Sequence, residues 1–580
     1  VSAPEVDPAP RGRIGRLLDA LDDRTGYRGL VRKVADHPVR DGARFAYAFG
    51  GLLLFVFVLQ AVTGVALATV YAPTTTDAWG SVYYIEHHMV MGSLVRGVHH
   101  FGSSAMIVLV VLHMTQVLLF GAHRKPRELN WIVGVLMLLV ILAFGLTGYL
   151  LPWDQKGYWA TQVATGIMGG APGGEPLQTL LQGGADYGNQ TLTRFYALHV
   201  LILPGALITL LVVHLALFYR HGVKASPRRE PPRPSVSFWP YQVLREIVLA
   251  ALVLACLIAL ALLVGVGLDA PADPASGYEA RPDWYFLFLF QLLKYFEGPL
   301  AIIGTVIIPG LAVGFLIAVP FIDRRARGTG PSRRVVIPYV AMLLGAATLT
   351  VLAVTDDAGD EAFQRARAEA RVEAEGAIAL AHLGGIDAAG RVTLLEGRRL
   401  YVERGCASCH DDAEVPSPGL AGWGSRERLV SFLKDPDAER FFGGTPLEGQ
   451  MMAVDSEGED LDGLTDYLRA LGGQQEGSAA SRARGRAIFA EECTICHNDP
   501  AHDARHPDYM LGHAGPDLAG LYGYEWTRAL IRDASHPTFY GSVLTDADLE
   551  RAMPAYPDMP DDELDLLVRW LLAGAPGAGR

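Results

Sequence analysis

The sequence predicts an all-α polytopic membrane protein that ends in two small all-α domains outside the membrane. Three observations predict it. Seven apolar stretches are long enough to cross a bilayer. Two of those segments carry histidines at nearly equal spacing. The motif CxxCH occurs twice, each time in the same repeated frame.

The apolar stretches run over roughly 45–71, 101–120, 131–151, 196–218, 243–267, 299–321 and 336–355. Loop charge gives their orientation. His123, Arg124, Lys125 and Arg127 follow the second stretch. Lys224, Arg228, Arg229 and Arg233 follow the fourth, and Arg324, Arg325, Arg327, Arg333 and Arg334 the sixth. The alternate loops are poor in Lys and Arg. The basic loops are therefore expected in the cytoplasm, the N-terminus with them, and everything after Thr355 outside. Residues 1–44 read as an amphipathic cytoplasmic segment with Leu17, Leu18 and Leu21 among charges. They hold no apolar core of the kind a cleavable signal peptide needs.

The chain is 50% hydrophobic with mean hydropathy +0.23. Its net charge of −13 argues against nucleic acid as a partner. Of five cysteines, Cys406, Cys409, Cys493 and Cys496 belong to the two CxxCH motifs, and Cys256 lies in an apolar stretch as an inert core thiol. None remains for a structural disulfide or a cysteine-ligated iron–sulfur cluster.

A histidine inside a membrane segment is costly and is usually functional. His99 and His113 are 14 residues apart, and His199 and His214 are 15 apart. At about 100° and 1.5 Å per residue, each pair returns to one helix face about 21 Å further along. Two such helices facing each other clamp two non-covalent b-type haems, the outer between His99 and His199 and the inner between His113 and His214. His100 points to another face. Gly50 and Gly64, and again Gly134 and Gly148, repeat the 14-residue spacing, and a missing side chain lets a flat macrocycle approach the backbone. Residues 45–235 thus read as a four-helix haem bundle, and 236–355 as three further transmembrane helices.

Residues 356–390 read as a helical linker, followed by the duplication, with 391–472 as one domain and 483–580 as the other. Gly397, Tyr401, Cys406-Ala-Ser-Cys409-His410, Pro418–Gly422 and Phe441–Gly443 recur as Gly485, Phe489, Cys493-Thr-Ile-Cys496-His497, Pro516–Gly520 and Phe539–Gly541. CxxCH is the covalent attachment signature of c-type haem. His410 and His497 are the proximal ligands. The distal ligand of such a fold is commonly Met. Met451 takes that place in the first copy, with Met452 the alternative, and Met553 in the second, ahead of Met559. Bacterial c-type haem is attached on the outer face, where the topology places these domains.

Pro282-Asp283-Trp284-Tyr285 begins just after the loop between the fifth and sixth stretches, at the outer surface. A carboxylate and a phenol beside Phe286, Phe288 and Phe290 suit the binding and deprotonation of a quinol.

Taken together, Leu94-Val-Arg-Gly-Val-His99, His113, Lys125–Trp131, Gly148-Tyr-Leu-Leu-Pro-Trp-Asp-Gln155, Gly157-Tyr-Trp-Ala160, His199, His214 and Pro282–Tyr285 resemble cytochrome b of the quinol:cytochrome c oxidoreductase (bc complex) family, over about 40–350. The C-terminal third resembles a tandem, dihaem class I cytochrome c. The 15-residue histidine spacing resembles the branch in which cytochrome b is split in two. That branch attaches an extra haem through a cysteine, and Tyr47-Ala48-Phe49-Gly50-Gly51 lacks it. Asp283 also stands where the family usually has Glu.

The resemblance implies an electron-transferring translocase. Quinol binds near Asp283, Tyr285 and Trp159, and Arg96 joins the cofactor-binding set. One electron goes to a Rieske-type iron–sulfur protein on a separate chain, then through the c haems to a soluble cytochrome or terminal oxidase. The other crosses the b haems to a quinone near Arg220 and His221. Protons leave outward. The implied setting is a homodimer, lipid-embedded in a bacterial cytoplasmic membrane, with the c domains periplasmic. A plain electron relay would not need Pro282–Tyr285 or the Gly157–Ala160 segment, and a docking protein with no redox role would not need two complete CxxCH sites with methionine candidates.

Overall fold

The structure is a computed structural model. It describes residues 13–580 apart from 40, 185, 225–233, 275, 325–329, 386–391, 413, 475–476, 498–514, 541–542, 550–552 and 579–580, and apart from the side chains of residues 30, 299, 546 and 549. Arg228, Arg229, Arg233, Arg325, Arg327 and Gly541 lie outside the described residues. The chain forms two compact units, Val1–Ala374 and Glu375–Arg580.

In the first unit, α1 (Arg13–Thr25) and α2 (Tyr27–Ala35) precede seven helices long and apolar enough to cross a membrane. These are α3 (Phe49–Ala68), α4 (Gly92–Leu119), α5 (Glu128–Tyr149), α7 (Asn189–His221), α8 (Phe238–Leu263), α10 (Ile303–Ile322) and α11 (Arg333–Gly359). Between them, α6 (Gln155–Gly169) and α9 (Trp284–Leu293) are shorter, and α12 (Glu361–Gly384) follows α11. The apolar runs underestimate two helices. α4 starts at Gly92 instead of 101, and α7 at Asn189 instead of 196. Ser93, Arg96 and His99 lower the hydropathy of the first turns of α4 but do not break its hydrogen bonding. Arg96 is satisfied by Glu86 Oε2 at 2.8 Å and by the Val266 and Gly267 carbonyls at 2.9 and 2.7 Å.

α7 carries a π-helical turn over Leu198–Ile202, immediately before Pro204. Proline lacks the N–H that an α-helix needs and crowds the carbonyl four residues back, and a wider turn relieves both. The π turn also takes up one extra residue. It therefore explains why His199 and His214 are 15 apart yet face the 14-residue pair of α4.

Two ends of the bundle are tied separately. At one end, β1 (Pro38–Val39) pairs antiparallel with β2 (Val236–Ser237), joining the entries of α3 and α8. At that end buried Asp323 Oδ2 accepts from Arg124 Nη2 at 2.8 Å, His123 Nε2 at 3.1 Å and the Ser332 N–H at 3.2 Å. Burial alone would raise the Asp323 carboxyl, but these donors hold it below its ordinary value. At the other end Asp154 pairs with Pro271, Trp79 Nε1 donates to the Asp269 carbonyl at 2.7 Å, and Arg281 Nε reaches Asp357 at 3.1 Å. The entry to α3 and the exit from α11 thus lie on opposite faces, as seven crossings require. Val58, Val62, Leu201, Leu262 and Leu311 are exposed on the outside of the bundle, where lipid would cover them.

The second unit contains α13 (Thr393–Glu403), α14 (Arg426–Lys434), α15 (Glu459–Leu471), α16 (Ala479–Ile488), α17 (Tyr524–Arg532) and α18 (Asp561–Leu572). Two self-contained domains, 391–472 and 483–580, would pack α13 on α15 and α16 on α18. The structure packs α13 on α18 and α16 on α15. A Cβ on Gly397 would lie 2.4 Å from Trp570 Cβ, and one on Gly485 would lie 1.9 Å from the Gly463 carbonyl oxygen. Only glycine admits such close crossings. Tyr401 meets Trp570 with ring centroids 4.6 Å apart, and Phe489 meets Tyr467 at 5.4 Å. Because the repeats share one crossing chemistry, exchanging partners loses no contact, which is why exchange of like elements costs little.

Candidate functional site

The four membrane histidines form two stacked pairs inside the bundle. His99 on α4 faces His199 on α7 with ring centroids 6.3 Å apart, and His113 faces His214 at 6.5 Å. Two metal–imidazole bonds of about 2 Å, plus about 1 Å from each nitrogen to its ring centre, give roughly 6 Å for two rings on one metal. The glycines mark the same depths. A Cβ on Gly64 or Gly148 would lie 3.1 or 2.9 Å from Cε1 of His99 or His199, and one on Gly50 or Gly134 would lie 3.5 or 3.7 Å from Cε1 of His113 or His214.

The pairs differ in their supports. Thr63 Oγ1 is 3.0 Å from His99 Nδ1, and Thr147 Oγ1 is 3.0 Å from His199 Nδ1. Each threonine donates its own proton to a helix carbonyl, at Leu59 and Ala143, so it accepts from the imidazole N–H. That leaves Nε2 for a metal. His113 Nδ1 and His214 Nδ1 are buried without a well-formed hydrogen bond. Such a donor set of facing imidazoles and glycine gaps fits two bis-histidine haems. Thr63 and Thr147 were not among the sequence candidates. Their signal was position, one residue before each outer-depth glycine.

At the end of the bundle that holds Arg281 and Asp357, Asp283 occupies the N-cap position of α9, without a side-chain capping bond. Its Oδ1 is 3.3 Å from Lys156 Nζ, and its Oδ2 accepts from the Tyr285 hydroxyl at 3.2 Å. Trp284 Nε1 donates to Ser104 on α4 at 3.2 Å, five residues after His99. Tyr285 is buried, and a Cβ on Gly145 would lie 3.1 Å from its ring. Lys156 and Gly145 are further residues the sequence reading did not single out. Lys156 sits inside the Gly148–Ala160 motif as its one cation, which was a usable signal.

Three candidates have other contacts. Trp159 Nε1 donates to Gln155 Oε1 at 3.1 Å and Ser276 Oγ at 3.2 Å. Trp159 thereby braces the loop that carries Ser276, one helical turn from Lys156. Arg96 holds the outer loop, as above. His221 offers its backbone carbonyl to Arg127 at 2.7 Å, and Arg220 is exposed at the end of α7.

In the second unit, His410 Nδ1 is 2.7 Å from the Pro418 carbonyl and His497 Nδ1 is 2.8 Å from that of Pro516. Both rings are thereby oriented with Nε2 available. Burial pushes the His410 imidazole below its ordinary value, towards the neutral form that binds metal. None of the four motif cysteines is taken up in a disulfide. Met451 and Met553 are partly buried, Met452 is exposed, and Met559 is buried. These donor sets fit covalent c-type haem.

Comparison with known proteins gives the family of the chain. Residues 104–271 match the model for "Cytochrome b(N-terminal)/b6/petB", residues 271–365 that for "Cytochrome b(C-terminal)/b6/petD", and residues 480–571 that for "Cytochrome C oxidase, cbb3-type, subunit III". The menaquinol:cytochrome c reductase cytochrome b subunit of Bacillus subtilis is 43% identical over 219 residues, 36% of this chain and 98% of that protein. The cytochrome bc complex cytochrome b subunit of Chlorobaculum thiosulfatiphilum is 39% identical over 290 residues, 49% of this chain and 67% of that one. A solved hyperthermophilic respiratory Complex III chain superposes with a TM-score of 0.51 at 28% identity, covering 62% of this chain and 96% of that chain. The two cytochrome b models follow one another without a gap and the Bacillus relative is covered almost end to end, so the chain belongs to the cytochrome b/b6 family and continues into a cytochrome c region.

Proposed function

We propose that this chain is the cytochrome b and c subunit of a quinol:cytochrome c oxidoreductase, and that it oxidises quinol at Asp283. The observation that carries the reading is the placement of one carboxylate, held by Lys156 and Tyr285, on a helix anchored through Trp284 to α4 one and a half turns from His99. Haem held by the four membrane histidines and the two CxxCH motifs supplies one-electron carriers at two membrane depths and at two outer sites.

The chain's own residues do the proton chemistry. Asp283 Oδ2 takes the quinol hydroxyl proton. Tyr285 fixes the carboxylate's rotamer, and Lys156 neutralises its charge before substrate arrives. The apolar surround of Phe286 and Trp284 keeps bulk water from the hydroxyl. Arg220 and His221, at the opposite end of α7, serve a quinone at the inner surface. The five cysteines leave no thiol set for an iron–sulfur cluster, so a Rieske-type protein on another chain takes the other electron. The complex is a homodimer in the cytoplasmic membrane, with the N-terminus inside, the c haems outside, and protons released outward. A soluble cytochrome or an oxidase is the final acceptor.

Asp283→Asn tests this in the purified complex. Quinol oxidation is expected to fall at least ~100-fold, the range of a lost general base, while both b haems stay reducible from the inner side. Turnover at the wild-type rate would remove Asp283 from the mechanism.

A further inference from the structure

The exchange of helices in the second unit has a consequence for its metal ligands. α13 leads directly into Cys406 and packs on α18, and Cys406 borders the core built from Leu394, Tyr401, Met559, Leu564, Leu567 and Trp570. α16 leads into Cys493 and packs on α15. Cys493 borders the other core, built from Leu429, Leu433, Leu461, Leu464, Phe489 and Trp526. Among the described residues, Met451 packs against the core that holds Cys493 and not against the Cys406 core. Met553 borders both cores and so lies within reach of either CxxCH site; with Met451 on the Cys493 core, Met553 is the candidate left for the Cys406 core. Polar contacts follow the same exchange. Arg404 pairs with Glu563, Arg484 Nη1 lies 2.7 Å from Glu459, and the Gly422 N–H donates to the Gly574 carbonyl at 2.9 Å.

We propose that each c-type haem takes its distal methionine from the other repeat: His497 is paired with Met451, and His410 with Met553. The inference rests on the His/Met reading of the CxxCH sites given above. Neither repeat then completes a haem site alone. Both ligand sets close only when both repeats have folded, so the two sites form one assembly unit instead of two beads on a linker.

The full chain in its membrane complex provides the test. With Cys406→Ser and Cys409→Ser together, only the haem on Cys493 and Cys496 remains. The readouts are its methionine–iron charge-transfer band and its spin state by magnetic circular dichroism. Crossed ligation predicts that Met451→Ala abolishes the band and raises the spin state, and that Met553→Ala leaves both unchanged. The reverse result would overturn the crossing. No methionine band before either change would overturn the underlying His/Met reading instead.

A second measurement keeps every haem ligand. Arg404→Cys with Glu563→Cys should form a short thiol cross-link, mapped by peptide mass. Arg404→Cys with Asp460→Cys, the position equivalent to Glu563 in the first repeat, should not. A cross-link in the second pair and none in the first would show self-contained repeats and overturn the proposal.

Discussion

Lys156 Nζ lies 3.3 Å from Asp283 Oδ1, across a gap of 127 residues in sequence. The lysine side chain is 39% exposed and the aspartate 20%. A half-exposed pair of this kind contributes up to about 1 kcal/mol. Lys156→Gln is therefore expected to slow quinol oxidation no more than about fivefold, with unchanged haem spectra and a weaker dependence on salt. Steady-state rates at two ionic strengths check it. A loss as deep as that of Asp283→Asn would make Lys156 an essential group instead of a supporting one.

Gly145 sets the position of the Tyr285 ring. A Cβ there would come within 3.1 Å of Cε2 and 3.2 Å of the hydroxyl oxygen. Gly145→Ala should push the phenol off Asp283 and cut turnover severalfold. In a Tyr285→Phe background the same change should cost much less. The double-mutant cycle is then non-additive, as expected for residues acting through one contact. Equal losses in both backgrounds would mean that Gly145 acts elsewhere.

The threonine supports predict an asymmetry between the two b haems. An imidazole N–H bonded to an acceptor is a stronger electron donor and favours the oxidised metal. Removing one such bond, at about 1 kcal/mol net, should raise the outer potential by roughly 40 mV on the scale of 59 mV per tenfold for one electron. Thr63→Val and Thr147→Val should each do so while the inner potential stays fixed. Redox titration of the two resolved components measures it, and equal movement of both would contradict the assignment.

Asp154 caps α6, accepting from the Gly157 N–H at 2.8 Å. Burial, with Asp269 nearby, pushes its carboxyl up to about 6. The folded form therefore holds the proton more tightly than the unfolded chain. That stabilisation is complete below about pH 4, the unfolded value, and is lost as pH rises through about 6. Asparagine keeps the cap acceptor without the charge. Asp154→Asn should melt higher than the wild type at pH 7.5 and no differently at pH 4. Melting curves that coincide at both pH values would show that Asp154 carries no such burden.

Much of the membrane half was legible because its signals are one-dimensional. Apolar length reveals a span, and His99, His113, His199 and His214 repeat at helical intervals that survive in the fold. The glycines at the same interval do lie against those rings. What sequence could not show is contact across long separations. Lys156 reads as a loop cation until α9 folds back to it, and the hydrogen bonds of Arg96 and Trp159 to the loop at 266–276 carry no signal in the sequence. The 15-residue interval was visible, but the π turn that reconciles it with 14 depends on backbone geometry around Pro204. In the c region the repeat was plain, whereas the partner of each helix was not. Gly397 and Gly485 carry the same motif, so either last helix satisfies either first helix, and local pattern does not choose.

The proposed function stands on two haems clamped by α4 and α7 and two more attached at the CxxCH motifs. Purifying the complex and titrating its haem spectrum against potential tests it most directly. Equal amounts of b-type and c-type haem are expected, two of each per chain, with the b component resolving into two potentials. A b-to-c ratio far from one, or a single b component whose amount is unchanged by His113→Ala, would contradict it.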